Sequence, residues 1–373
     1  MHIKRDKIFA VLVLLPSLIL VGVFVYGFIG RTAYISLSDW GQEAALAENP
    51  QIRLIGFKSY GELFTSFTDA RFRQDLVNAV SYSLLLISGA IAVGILLAIL
   101  LDRKPKGLSV FRTLFLYPMA LSFIVSGTIW RWMLSPQGGI NLLPTLFGLE
   151  RFQFRWLSSR QAVLQFNWQD LFLVVGGMIL AVLAVVTVLQ WRKGKRSTAC
   201  SLTVFSGLLL AWIVFGKPLG LVPPALGYEE THGFNLAIIG VIIAAIWQYS
   251  GYTMALYYAG LRGLPVEVHE SAKIDGATEF QYYFRVAIPM LRTTTFSAII
   301  ILAHISLKLF ALIFAMTGPD NAATGHPSVL MYLTTFRANN FAKGAAIAVV
   351  LFLMAAIFII PYLLSSHRER RGR

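Results

Sequence analysis

Runs of nearly uncharged apolar residues, longer than the roughly 18 that cross a bilayer at a 1.5 Å rise, constrain this chain more than any other feature. Eight such spans are read, near 8–30, 77–101, 110–133, 171–191, 199–216, 236–260, 294–316 and 344–364. A soluble protein of 373 residues covers its surface with far more charge than the 13% present here, and a mean hydropathy of +0.67 suits lipid. The expected fold class is an all-α membrane protein, a polytopic helical bundle of about eight transmembrane helices.

Lys4, Arg5 and Lys7 precede the first run as they would in a signal peptide. That run is too long and no small-residue cleavage site follows it, so it reads as a retained span. The net charge of +14 sits mostly in short clusters beside apolar runs: Arg103, Lys104 and Lys106, then Arg192, Lys193, Lys195 and Arg196, then the Arg-rich tail. Such clusters mark the inner side of a membrane, where they meet lipid headgroups, and do not indicate nucleic acid. Both termini are therefore expected in the cytoplasm. Trp130, Trp132, Trp156 and Trp168 gather where the outer interface falls. The single cysteine, Cys200, rules out an internal disulfide framework.

One inner connection is long, residues 262–289. Pro265 suits a first helical turn, no breaker interrupts Val266 to Asp275, and Gly276 can end the helix in the left-handed conformation. Thr278 with Gln281 fits a capping box opening a second helix, and Pro289 marks the turn into the seventh span. A loop that only joins two spans needs no helix–glycine–helix element. A rigid knob on the inner face suits force transmission from a soluble partner.

These residues resemble the permeases of binding-protein-dependent ATP-binding-cassette (ABC) importers. The family signature is Glu-Ala-Ala, three residues, Gly, nine residues, then Ile-x-Leu-Pro. Here Glu270-Ser271-Ala272, Gly276 and Val286-Ala287-Ile288-Pro289 stand at that spacing. Lys273-Ile274-Asp275-Gly276-Ala277 is similar to the sugar branch. The likeness to the larger, maltose-permease-like subunit runs from Leu15-Pro16 through Asn78-Ala79 and Trp130-Arg131-Trp132 to Thr317-Gly318-Pro319 and Gly344-Ala345-Ala346.

The resemblance implies a six-helix permease core pairing with a second permease subunit in a bacterial or archaeal inner (plasma) membrane. Two copies of an ATP-binding subunit, carrying ATP-Mg, would grip the loops, and an extracytoplasmic sugar-binding protein would dock outside. No cofactor is expected on this chain. Glu270, Ser271, Ala272, Asp275, Gly276, Ile288 and Pro289 carry the coupling in that reading: Glu270 meets the ATPase, Ala272 allows close approach, and Gly276 supplies the turn. The expected organisation is a first helix and outer segment (1–76), core helices two and three with an outer loop (77–167), an inserted transmembrane hairpin (168–216), and the remaining core (217–373).

Two departures stand out. The hairpin is surplus to six helices, though two added spans preserve orientation. In the seventh span, Ala311 stands where sugar permeases often carry Asp, and Lys308 is charged with His304 one turn earlier on the same face. Lys308 either lines the substrate pathway or hydrogen-bonds sugar hydroxyls, or else snorkels outward or pairs with a backbone carbonyl or a partner-subunit residue, and His304 shares the pathway candidacy. The stretch from Ala322 to Tyr332 leans towards a glucose, mannose or small glucoside cargo. An ion-coupled secondary transporter would carry intramembrane carboxylates, of which the predicted spans hold almost none. A membrane-embedded enzyme would need a nucleophile with a base or a metal cluster, whereas the six histidines are scattered and no catalytic or metal-binding set emerges.

Overall fold

The computed structural model describes residues 2–42, 52–222 and 224–371, with side chains at 11, 13–42, 52–222 and 224–360. Six of its helices are long and apolar enough to cross a membrane, or eight if each of two sharply bent pairs counts as one span. Contacts divide the chain into a larger unit, residues 1–64, 71–161 and 235–373, and a smaller one, 65–70 and 162–234.

In the larger unit, α1 (His2–Val21) passes through one π turn (Gly22–Gly27) into α2 (Phe28–Ser36). Then come α3 (Lys58–Thr65), α4 (Ala70–Asp102), α5 (Leu108–Ala120) and α6 (Phe123–Met133). The third apolar run is thus not one straight span: α5 and α6 meet at 100°. Pro118 weakens the end of α5, and the Ser122 side chain accepts from the Val125 N–H to start a new helix.

The smaller unit pairs β1 (Ala162–Asn167) with β2 (Thr231–Asn235) around a helical hairpin, α7 (Leu171–Arg192) and α8 (Arg196–Gly216). Gly176 lets α7 approach Trp212 and Ile213 of α8 closely. At the hairpin's open end Lys217 Nζ lies 2.6 Å from Asp170 Oδ1. His232 is buried against Trp168 and pairs with Glu230.

The chain returns to the larger unit in α9 (Ala237–Arg262), whose apolar stretch is 72% buried, the centre of that unit. It crosses α4 where a Cβ on Gly94 would strike Thr253, and the Thr253 hydroxyl donates to the Ala90 carbonyl at 2.6 Å. Beyond α9 follow α10 (Val266–Ile274), α11 (Glu279–Gln281) with a π turn (Tyr282–Ala287), and α12 (Ile288–Met290). Next come α13 (Arg292–Ser306), α14 (Phe310–Thr317), α15 (Pro327–Tyr332) and α16 (Phe341–Arg371).

The expected seventh span, 294–316, is likewise corrected. It is divided between α13 and α14 by a break at 307–309, and α13 itself meets the preceding 279–290 segment at 73°.

Candidate functional site

The 262–291 segment is built by local rules and then clamped by packing. Pro265, at φ −59°, precedes the first turn of α10. At the other end Gly276 takes φ +76°, the Ala277 N–H reaches the Ala272 carbonyl at 2.9 Å, and the Gly276 N–H reaches that of Lys273 at 3.0 Å. That pair of bonds is a Schellman ending, which satisfies carbonyls that would otherwise be orphaned. Two residues later Thr278 Oγ1 accepts from the Gln281 N–H and Gln281 Oε1 from the Thr278 N–H, closing a capping box.

The inward face of this element joins a core with α4 and α9. Ala272, Tyr282, Tyr283, Ala287 and Leu291 pack with Ala98, Ile99, Leu101, Met254, Tyr257 and Leu261. Polar links reinforce the contact. The Tyr283 hydroxyl donates to Asp102 Oδ2 at 2.8 Å, and the Tyr257 hydroxyl donates to Thr295 Oγ1 at 2.8 Å. Across the glycine turn, Glu279 Oε1 lies 3.2 Å from His269 Nε2 and 3.5 Å from Lys273 Nζ, holding the two short helices together.

The outward face is mixed. Glu267, Glu270, Ser271, Asp275 and Pro289 are exposed, and Ile288 is half-buried. Around them Ile274 is 86% and Phe280 68% exposed, values that leave an apolar edge uncovered beside carboxylates. Glu270 and Asp275 make no ion pair among the described residues. Ala272 is buried in the chain's own core, where its small side chain lets α10 seat closely on α4 and α9. A Cβ on Gly276 would meet nothing within 4 Å, so the backbone angle, not space, requires glycine there.

The structure separates the pathway candidates from the coupling residues and alters their setting. His304 is exposed in α13. Lys308 is also exposed but lies in the break between α13 and α14, where its N–H bonds the Ile305 carbonyl at 2.9 Å. The two do not share one uninterrupted helical face.

Sequence reasoning missed a buried polar cluster at the start of α4. Arg73, Asp75 and Asn78 are fully buried, as are Thr324 and His326. Asn78 Nδ2 donates to the Gly325 carbonyl at 3.0 Å and the Tyr82 hydroxyl to that of Thr324 at 3.1 Å. Charged residues at the end of an apolar run look like a solvated boundary. The signal available was Asn78, a poor helix former placed inside that run.

A family model described as "binding-protein-dependent transport system inner membrane component" matches residues 200–371. The chain is 32% identical over 370 residues to a probable ABC transporter permease protein of Pyrococcus horikoshii, covering 99% of both chains. It is 28% identical over 356 residues to the xylose/arabinose import permease protein of Haloferax volcanii, covering 94% of this chain and 86% of that one. Its fold is similar to that of a chain in a bacterial alginate ABC transporter, solved with a periplasmic protein bound to an alginate pentasaccharide. There the TM-score is 0.62 at 19% identity, covering 99% of this chain and 96% of the other. The chain is thus a multi-pass membrane transport subunit, and it belongs to the inner-membrane components of binding-protein-dependent transport systems, the permeases of ABC transporters.

Proposed function

We propose that the chain is a permease subunit of a sugar importer, forming the translocation pathway with a second permease and taking its energy through residues 262–289. The observation that carries the coupling role is the two-sided construction of that segment. One face is packed and hydrogen-bonded onto the ends of α4 and α9, and the other presents Glu270, Ile274, Asp275 and Phe280 outward. A soluble partner closing on the outward face moves both helices, because the inward face has no slack to absorb the motion. Glu270 and Asp275 meet basic or polar groups of an ATP-binding subunit. Ser271, Ala272, Gly276, Ile288 and Pro289 fix the shape of the knob. Two such ATPase subunits carry ATP-Mg, and each partner biases the permease by its differential affinity for the inward and outward states.

The clustering of Lys and Arg supports a cytoplasmic position for this segment and for both termini, and the kinship with ABC importer permeases supports the inner membrane of a bacterium or archaeon. A sugar-binding protein docks on the opposite face. The sugar-import names of the relatives support the cargo class, and His304 and Lys308 are the pathway candidates.

Co-purification from native membranes in mild detergent tests the reading. Wild type is expected to bring down an ATP-binding subunit and a second permease, and Gly276→Trp to lose the ATPase while remaining inserted. ATPase retained at wild-type level by the variant would remove the coupling role from this segment.

A further inference from the structure

The hairpin α7–α8 is surplus to the permease core, and its charge is segregated. Residues 171–216 contain no Asp or Glu, and the cations Arg192, Lys193, Lys195 and Arg196 fall within five positions at the tip. All four are exposed, and none makes an ion pair among the described residues. The tip cannot splay away from the helices: Gly194, at φ +72°, closes a turn in which the Lys195 N–H reaches the Gln190 carbonyl at 3.1 Å. Trp191, 59% exposed, sits at the same level.

Below the tip both helices present apolar side chains outward, among them Val182, Val185 and Val188 of α7 and Val204, Phe205 and Leu208 of α8. Faces of this kind sit within the apolar layer of a bilayer, which sets the tip at the level of the headgroups. There an unpaired cation finds phosphate as its counter-ion, and a tryptophan ring prefers that depth. The Asp170–Lys217 pair lies at the opposite end of the hairpin, about 30 Å away along 22 residues of helix.

We propose that the hairpin tip is a binding site for anionic phospholipid, with Arg192, Lys193, Lys195 and Arg196 gathering headgroup phosphates and Trp191 seating the turn at the interface. Charge complementarity carries the assignment: four exposed cations with no ion pair among the described residues, on a hairpin that contains no Asp or Glu, held at the depth of lipid phosphates.

The test uses the assembled importer in nanodiscs containing zwitterionic lipid alone or with a fraction of phosphatidylglycerol. Lipids retained after detergent extraction are quantified by native mass spectrometry. Wild type is expected to enrich phosphatidylglycerol over the bulk ratio. The enrichment should fall about five-fold per charge removed at low salt in Lys193→Gln/Lys195→Gln, and further when Arg192→Gln and Arg196→Gln are added. Molar salt should erase it in wild type.

Cys200, the chain's single cysteine and exposed one turn from the tip, takes a spin label that reports depth independently of assembly. Its accessibility should depend on phosphatidylglycerol in wild type and not in the double variant, which keeps the flanking arginines and so protects insertion. Equal enrichment in wild type and variants would overturn the proposal. So would cross-linking of the tip to a protein subunit irrespective of lipid composition.

Discussion

The Tyr283 hydroxyl donates to Asp102 Oδ2 at 2.8 Å, tying the segment after the Gly276 turn to the last residue of the Ala70–Asp102 helix. The residues are 181 apart in sequence, and the bond sits at the edge of the core around Tyr257 and Leu261. Removing it should loosen the knob without dismantling it. Tyr283→Phe keeps the ring packing and leaves a partly solvated carboxylate, at a cost of about 1 kcal/mol. The expected outcome is normal insertion with less sugar transported per ATP hydrolysed, measured in proteoliposomes from uptake and phosphate release together. An unchanged ratio would show that this contact does not transmit the motion.

Gly276 makes a sharper prediction, because the structure separates shape from volume. With open space around the site and φ +76°, substitution is penalised by backbone angle, about 1–2 kcal/mol for an ordinary L-residue and less for Asn. Coupled transport should therefore rank Gly, then Asn, then Ala, with a β-branched Val lowest. A ranking by side-chain size, with Ala above Asn, would mean that an ATPase surface packs directly on this position.

Much of this element was legible in the sequence because it is made of local rules. Pro265, Gly276, Thr278 and Gln281 each act on their immediate neighbours, and such signals survive without knowledge of the fold. Breaks inside apolar runs were harder to read, because hydropathy measures polarity and not straightness. Ser122 after Pro118 was the visible trace of the 100° bend. The break holding Lys308 had no comparable marker, since Ser306-Leu307-Lys308-Leu309 contains neither glycine nor proline. Least legible was the partner of Asp75, which lies on a segment about 250 positions away.

That partner is Gly325. Asp75 is fully buried with Arg71 Nε at 4.0 Å, neither carboxylate oxygen has a hydrogen-bond donor among the described residues, and a Cβ on Gly325 would drive into Oδ1. Gly325→Ala should destabilise the permease by about 1–3 kcal/mol through overpacking. Asp75→Ser in the same chain should recover part of that loss by opening the space. Thermal unfolding of the four members of the cycle gives the coupling, expected above about 0.5 kcal/mol. Strict additivity would place the cost of Gly325→Ala elsewhere.

His326 lies in the connection between α14 and α16 and caps α15, its Nδ1 accepting from the Ser328 N–H at 3.2 Å. Complete burial pushes its pKa down from 6.5 to about 3, so the ring is neutral in the folded chain over the whole physiological range. Between those values the unfolded chain binds a proton that the folded chain refuses. The stability contributed by the neutral ring is thus complete above pH 6.5 and is lost as pH falls towards 3, by about 1.4 kcal/mol per unit. His326→Asn keeps an acceptor for the cap and removes the titration. The unfolding temperature of the purified protein should fall more steeply between pH 6.5 and 4.5 in wild type than in His326→Asn. Parallel profiles would mean that the imidazole is protonated in place, with water reaching a site that the packing of Tyr82 against its ring otherwise closes.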